Sequence, residues 1–381
     1  MTSNIITSRS VAERPPYYSV SALRVYRRCG MEFYHKYVDL NRKSGATRST
    51  LLGNLVHEAL ELYYDPEVEH DYNLEQCLEE TYISTLMAAG VIVSNTPASD
   101  QTTISSYLMG LVDGYAVLHN RARADYKGPD AIRTTAGKVS SAYQSTTAWK
   151  QAEEPLLALR HAANEYMLML NPELDTELDV IGALTEAFNL CRAFIPPKEF
   201  KRTIYVELPI SEYNDGTIIN EVPMPPDCGG DAGINLLGFI DWVGITSHGL
   251  TIVDYKTSKS AYTTDKLAYN PQLCAYAYAY EKLTGTRVDA MGIYNVREGN
   301  LVLTPIDRSI MDRVLTSFFG THKLITAGFY PHHYPEDNYS PCLDSFGKPC
   351  PYLHDCYPEL AEEQSLLDLY INELTYCNSV R

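Results

Sequence analysis

Apolar residues recur at three-and-four spacing through the first half of the chain and at every second position in much of the stretch beyond Lys201, so the pattern itself divides the protein. An N-cap at Ser19 or Ser21 opens an amphipathic run carrying Leu23, Tyr26 and Phe33. Beyond a polar stretch at Ser44-Gly45, Leu55, Val56, Ala59, Leu60 and Tyr63 form the core-facing stripe of a second helix. Residues 65–202 continue in helical fashion, broken at Gly128-Pro129 and Pro196-Pro197, and read as an inserted helical subdomain.

Thr203 to Pro209 alternates as a strand, with Ile204, Val206 and Leu208 on one face and Tyr205 and Glu207 on the other. A Pro- and Gly-rich loop spans Pro223 to Gly233. Two strand-like runs, Leu236–Gly244 and Leu250–Lys256, flank Thr246-Ser247-His248-Gly249, which signals a hairpin. Asn270-Pro271 opens a helix as N-cap and first helical residue, and Gly285 closes it. A strand at Met291–Asn295 and a helix at Ser309–Thr326 complete an α/β layer. The chain thus divides into a flexible arm (1–16), an N-terminal helical part (17–64), the helical insertion (65–202), a sheet-bearing core (203–335) and a C-terminal cysteine-rich segment and tail (336–381).

Composition changes this picture in two places. The 381 residues carry a net charge of −17, which does not advertise nucleic-acid binding, yet residues 1–50 hold nine Lys/Arg against three Asp/Glu. That basic segment is either a phosphate-binding patch or a solvated face. No signal-peptide pattern and no apolar stretch of membrane-span length is present, so the expected setting is cytoplasmic, where thiols stay reduced.

Candidate chemistry concentrates on the hairpin. Asp254 and Lys256 share one strand face, and a turn centred between Ser247 and His248 sets Asp241 opposite Asp254, with Cβ atoms roughly 5 Å apart. Opposed like charges destabilise unless something neutralises them, and hard oxygen ligands suit Mg²⁺ or Mn²⁺. The plain alternative is a surface hairpin that happens to carry these common residue types.

Gly53-Asn54-Leu55-Val56-His57-Glu58, Gly238-Phe239-Ile240-Asp241, Asp254-Tyr255-Lys256-Thr257, and Gln272 with Tyr276 follow one another along the chain. Together they resemble the GxxxHE, GxxD, DxKT and QxxxY motifs of RecB-like PD-(D/E)XK nucleases. Ser19-x-Ser21-x-Leu23-x-x-Tyr26-x-x-Cys29 is similar to the N-terminal helix of the iron–sulfur exonucleases of that group, of AddB and CRISPR-associated RecB-like type. The likeness covers residues 17–64 and 203–358 and implies a restriction-endonuclease-like core, a central mixed sheet flanked by helices. Ile240 stands where the family's name has proline, as an apolar residue does in many RecB-like members.

The resemblance implies a metal-dependent deoxyribonuclease, with Asp241, Asp254, Lys256, Gln272 and Tyr276 catalytic and His57, Asp241, Asp254 and the Tyr255 carbonyl holding Mg²⁺ or Mn²⁺. Glu207 is a looser candidate for a further carboxylate. An exonuclease of recombination, repair or phage DNA metabolism in a bacterial or phage-infected cell is one implied role; a catalytically silent DNA-binding scaffold on the same fold is the other. Arg24, Arg27, Arg28, Lys36, Arg42 and Lys43 are the expected DNA-backbone contacts. No Walker-type loop is present, so a helicase motor, like an annealing protein, could only come from a partner.

Cys29 with Cys342, Cys350 and Cys356 supplies four thiols, one before the core and three after it, as in the iron–sulfur members. The implied group is a [4Fe–4S] cluster stapling the two ends of the chain. The C-x₇-C spacing at its start is wider than the family's usual one, which leaves structural Zn²⁺ or unliganded thiols as the other readings. His332-His333 reads as loop surface.

Overall fold

The computed structural model describes residues 18–41, 47–124, 147–171, 178–210, 213–214, 217–218, 222–223, 233–234, 236–259, 261–331, 333, 342 and 350–358. The expected arm at 1–16, the basic pair Arg42 and Lys43, His332 and the tail beyond 358 lie outside the described residues.

A five-stranded mixed sheet organises the molecule. Its strands are β1 (Arg202–Pro209), β2 (Phe239–Thr246), β3 (Gly249–Lys256), β4 (Ala290–Asn295) and β5 (Asn300–Pro305), in the order β5-β4-β3-β2-β1. Only β3 and β4 are parallel, joined by a helical crossover; the other neighbours are antiparallel. Gly249 takes φ 93° at the end of the β2–β3 turn, a conformation glycine adopts without steric cost. Trp242 pairs with Val253 and Val243 with Ile252, the expected hairpin register, which carries Asp241 to the level of Asp254.

Helices cover both faces. On one side lie α1 (Val20–Arg28), α7 (Pro271–Thr284) and α8 (Arg308–Thr326), which bury Leu23, Ala277 and Phe318 with Ile252 and Ile293 of the sheet. On the other lie α2 (Arg48–Tyr64), α3 (Leu74–Ala88), α4 (Ala98–Ala124), α5 (Thr147–Leu170) and α6 (Val180–Arg192). They share one core with Trp242, Val253, Tyr255 and Tyr294. The helical middle of the chain is therefore a layer packed on the sheet, continuous with the helix that carries His57. Trp242 is its wedge: fully buried, its ring stacks on Phe200 at 3.9 Å while its Nε1–H donates to Thr203 Oγ1 at 3.0 Å.

Local rules explain the ends of these helices. Ser19, rather than Ser21, caps α1 by accepting from the Ala22 N–H. The Asn270 side chain accepts from Gln272 and Leu273 at the start of α7, and Gly285 ends that helix at φ 70°. Phe33 is not part of α1, as the apolar run suggested. The chain leaves the helix at Cys29 (φ −155°), and Phe33 ends a separate turn, Gly30–Phe33.

The edge strand departs most from its pattern. Thr203 pairs with Gly244 but Tyr205 with Val243, so one extra residue enters β1 as a bulge. Val206 then packs with Trp242 in one core, whereas Ile204 and Leu208 join the opposite one with Ile240. Strict alternation, which placed Ile204, Val206 and Leu208 together, fails because of the bulge and of a twist at Glu207, which holds φ 43°. A non-glycine residue in that region is strained, and such strain persists where the surroundings impose it.

Candidate active site

The twist at Glu207 lies where five elements converge. By the β1–β2 register Glu207 stands across from Asp241, and by the β2–β3 register Asp241 stands across from Asp254. Three carboxylates thus form a row across adjacent strands. From α2, His57 reaches the same level: Nε2 lies 3.0 Å from the Tyr255 carbonyl oxygen and Nδ1 3.5 Å from Asp241 Oδ2. From α7, the Gln272 amide donates to Asp254 Oδ1 at 3.0 Å and to the Tyr276 hydroxyl at 3.3 Å.

Each position has a structural reason. Asp241 Oδ2 accepts the Tyr255 backbone N–H at 2.6 Å, which ties one aspartate to the strand bearing the other. The Lys256 ammonium stands 2.5 Å from Asp254 Oδ2. Gly238 makes room for Tyr276, since an added Cβ would lie 3.0 Å from the Tyr276 hydroxyl and 3.1 Å from its ring. Gly53 is not crowded in this way; a Cβ there would meet only Thr257 Oγ1, at 4.0 Å.

The site is buried and rich in charge, so ionisation is strongly coupled. Burial disfavours the His57 imidazolium, but the Asp241 charge and contact, helped by Asp254, outweigh it and hold the pKa up at about 9. Burial would raise Asp241; His57, the Tyr255 N–H and Lys256 overcome it and hold that carboxyl below its ordinary value. Asp254 goes the other way, raised by burial and by the neighbouring Asp241 charge despite Lys256. Burial, then Asp241, pushes Glu207 up to about 7. Lys256 is raised because its carboxylate neighbours, Asp254 first, outweigh desolvation.

One ligand atom from each of His57, Glu207 and Asp241 falls within 4.8 Å of the others, which suits a cation. Asp254 Oδ2 is buried and receives no hydrogen bond of ordinary geometry, leaving a lone pair available to an ion. The residues therefore fit a divalent metal, and Glu207, a looser candidate from the motifs, is among the ligand atoms that converge. The signal for Glu207 was its place on the strand before the hairpin; the bulge that aims it at Asp241 has no signature in an alternating pattern.

The family model of the PD-(D/E)XK nuclease superfamily matches residues 17–113 and 139–357. The chain belongs to this superfamily. No curated protein matches it significantly. The superfamily match takes in most of the helical middle, which the motifs alone had left outside the likeness. That extension agrees with the single core those helices share with the PD-(D/E)XK sheet.

The four cysteines of interest meet in a pocket that includes none of these charged residues. Cys29, Cys342, Cys350 and Cys356 line one pocket with Met31, Glu32 and Tyr352. His333, outside any helix or strand and part-exposed, lines it too. Cys29 caps the Gly30–Phe33 turn, its Sγ accepting the Glu32 N–H at 3.4 Å. Gly30 lets this turn touch the far end of the chain, because a Cβ would collide with Pro331 and lie 2.9 Å from the Tyr330 carbonyl carbon. On the other side the Cys350 N–H donates to the Cys342 carbonyl at 2.7 Å, and the Cys356 N–H to the Tyr352 carbonyl at 3.0 Å. Burial and then the neighbouring thiols push Cys356 up to about 12, and burial raises Cys350 to about 11.

The basic residues are less uniform than the charge pattern suggested. Arg24 and Arg27 are exposed on α1. Arg28 is engaged by Glu32, with Nε 3.1 Å from Oε2, and the Lys36 ammonium lies 5.6 Å from the centre of the Tyr37 ring. No helix among the described residues is long and apolar enough to cross a membrane.

Proposed function

We propose that the protein is a Mg²⁺- or Mn²⁺-dependent deoxyribonuclease, an exonuclease of recombination, repair or phage DNA metabolism. The observation that carries this reading is the convergence of His57, Asp241, Asp254 and Lys256 at one end of the sheet, with Gln272 and Tyr276 behind them. A catalytically silent scaffold has no need to keep a buried Lys–Asp pair beside two further carboxylates, an arrangement costly to burial.

His57, Asp241, Asp254 and the Tyr255 carbonyl would hold the ion, with Glu207 beside them; when bound it polarises the scissile phosphate and lowers the pKa of a bound water. Lys256 stabilises charge that develops on the phosphate. Gln272 orients Asp254 and the Tyr276 hydroxyl through its two hydrogen bonds. Arg24 and Arg27, exposed on α1, supply contacts to the DNA backbone.

The cysteine pocket is read as the seat of a [4Fe–4S] cluster. Four thiols lining one pocket, one from before the core and three from after it as in the iron–sulfur members, support a cluster that takes one thiolate per iron.

The test is anaerobic purification followed by incubation of end-labelled single- and double-stranded DNA with Mg²⁺ or Mn²⁺, beside Lys256→Ala. Metal-dependent degradation that disappears in the variant is expected, and circular substrates separate exonuclease from endonuclease. Cleavage of no DNA by cluster-intact protein with either metal overturns the reading.

A further inference from the structure

His35 is a buried polar side chain that neither the nuclease chemistry nor the thiolate ligation employs. It sits in the π-helical turn Tyr34–Val38, just after the turn capped by Cys29, and is 8% exposed. Its ring lies flat on Tyr352, a residue of the cysteine pocket, with centroids 5.4 Å apart and planes 11° from parallel. Tyr34 meets it edge-on at 5.6 Å. Held in this way, the ring aims Nε2 at Cys356 Sγ, 3.7 Å away, and turns Nδ1 toward Asp39 Oδ2 at 3.8 Å.

We propose that His35 donates a hydrogen bond from Nε2 to the Cys356 sulfur and so sets how readily the cluster takes up an electron and how well it withstands oxygen. The inference rests on the proposed cluster. A thiolate bound to iron is an acceptor with no proton of its own, so a nitrogen at this position interacts favourably only as N–H donor. Such a donor draws negative charge off the sulfur and favours the reduced cluster, which carries one electron more; hydrogen bonds to the sulfurs are among the factors that set cluster potential. Cys29 receives its donor from the backbone N–H of Glu32, which no side-chain truncation removes. The donor to Cys356 is a side chain, placed by stacking on Tyr352, and can be replaced.

The experiment compares anaerobically purified holoprotein with His35→Leu and His35→Gln. Iron and sulfide are counted first. Each protein is then titrated with dithionite through redox mediators, the electron passing from dithionite to the cluster with no change of ligand, and followed by electron paramagnetic resonance. Bleaching of the visible cluster absorbance in air gives the second readout. The expected result is unchanged iron and sulfide in both variants, a more negative midpoint potential and faster bleaching in His35→Leu, and restoration toward wild type in His35→Gln, whose amide keeps an N–H. Wild-type potential and bleaching in His35→Leu overturn the proposal, as does loss of the cluster from both variants, which would make His35 a ligand or a packing element. Zinc, or no metal, in the wild-type pocket removes the cluster reading itself and is seen before any variant is compared.

Discussion

His57 Nε2 and the Tyr255 carbonyl oxygen lie 3.0 Å apart across 198 residues of sequence. Both atoms are suitable metal ligands, and Asp241 Oδ2 lies 3.5 Å from the other nitrogen of the same imidazole. Without a metal, the positive charge that balances Asp241 and Asp254 comes from the His57 imidazolium and Lys256. A divalent ion held there by His57, Glu207 and the aspartates would supply that charge in place of the imidazolium.

Metal affinity should therefore rise with pH. Imidazole ligates only when neutral. His57, held at about 9, must release a proton, and Glu207, at about 7, releases a second where it is still protonated. Apparent Mn²⁺ affinity should climb about tenfold per pH unit between these two values and more steeply below them. Calorimetry in buffers of different ionisation enthalpy counts the protons; affinity independent of pH would remove His57 from the ligand set.

Stability of the metal-free protein should run the opposite way. The folded-state pKa of His57 lies above its ordinary 6.5, so its contribution is complete below that value and is lost as pH rises through about 9. Glu207 has the same sign, raised from 4.5 to about 7, so burying it becomes less favourable as it ionises. The thermal midpoint without metal should fall as pH rises toward 9, and added Mn²⁺ should recover more of it at the alkaline end. A midpoint that rises over this range would contradict the site electrostatics.

Substitution Glu207→Gln should weaken Mn²⁺ binding about 10–100-fold while leaving the fold intact, the loss typical of a residue that supports a metal site. It also removes the need to bury a third carboxylate beside Asp241, so the metal-free variant should be at least as stable as the wild type. Unchanged metal affinity would assign Glu207 to packing alone. The residue also marks where sequence stops being sufficient. The hairpin register was legible, because a two-residue turn between the strands fixes which residues pair. The ends of α7 were legible too, at Asn270 and Gly285, because caps are local chemistry. The aim of Glu207 was not, since it depends on a bulge and on a φ of 43° imposed by surrounding strands. Nor could spacing alone bring Cys29 to Cys356; that pairing came only from the likeness to iron–sulfur nucleases.

Gln272→Ala should move the pH dependence of cleavage rather than simply lower its rate. Gln272 donates to Asp254 Oδ1 at 3.0 Å, a bond that favours the ionised carboxylate. Asp254 is already raised by burial, so loss of that donor should raise it further and shift the acidic limb of the pH–rate profile upward. The lost bond leaves a buried acceptor unsatisfied, at a cost of about 1–3 kcal/mol. A variant with a uniformly lower rate and an unmoved acidic limb would show that Gln272 does not act through Asp254.

Arg297 should couple the helical layer to the segment that carries Lys256. Its Nε–H donates to the Thr257 carbonyl at 2.9 Å, while its other end meets Glu186 of α6 at 2.6 Å; Glu186 in turn pairs with Arg48 of α2 at 2.8 Å. The Asn295 amide holds the next carbonyl, of Ser258, at 3.0 Å. The strand end beyond Lys256 is thus fastened to β4 by side chains rather than by the ladder alone. Arg297→Lys keeps the charge for Glu186, but a single ammonium cannot reproduce the two-sided reach of guanidinium. If the contact positions Lys256, this variant should lower kcat for DNA cleavage while Mn²⁺ affinity, set by His57 and the carboxylates, stays near wild type. Arg297→Ala should add a loss of stability of about 1.5–3 kcal/mol, the range for hydrogen bonds to charged groups. Equal kinetics in the wild type and the lysine variant would confine Arg297 to holding the helical layer on the sheet.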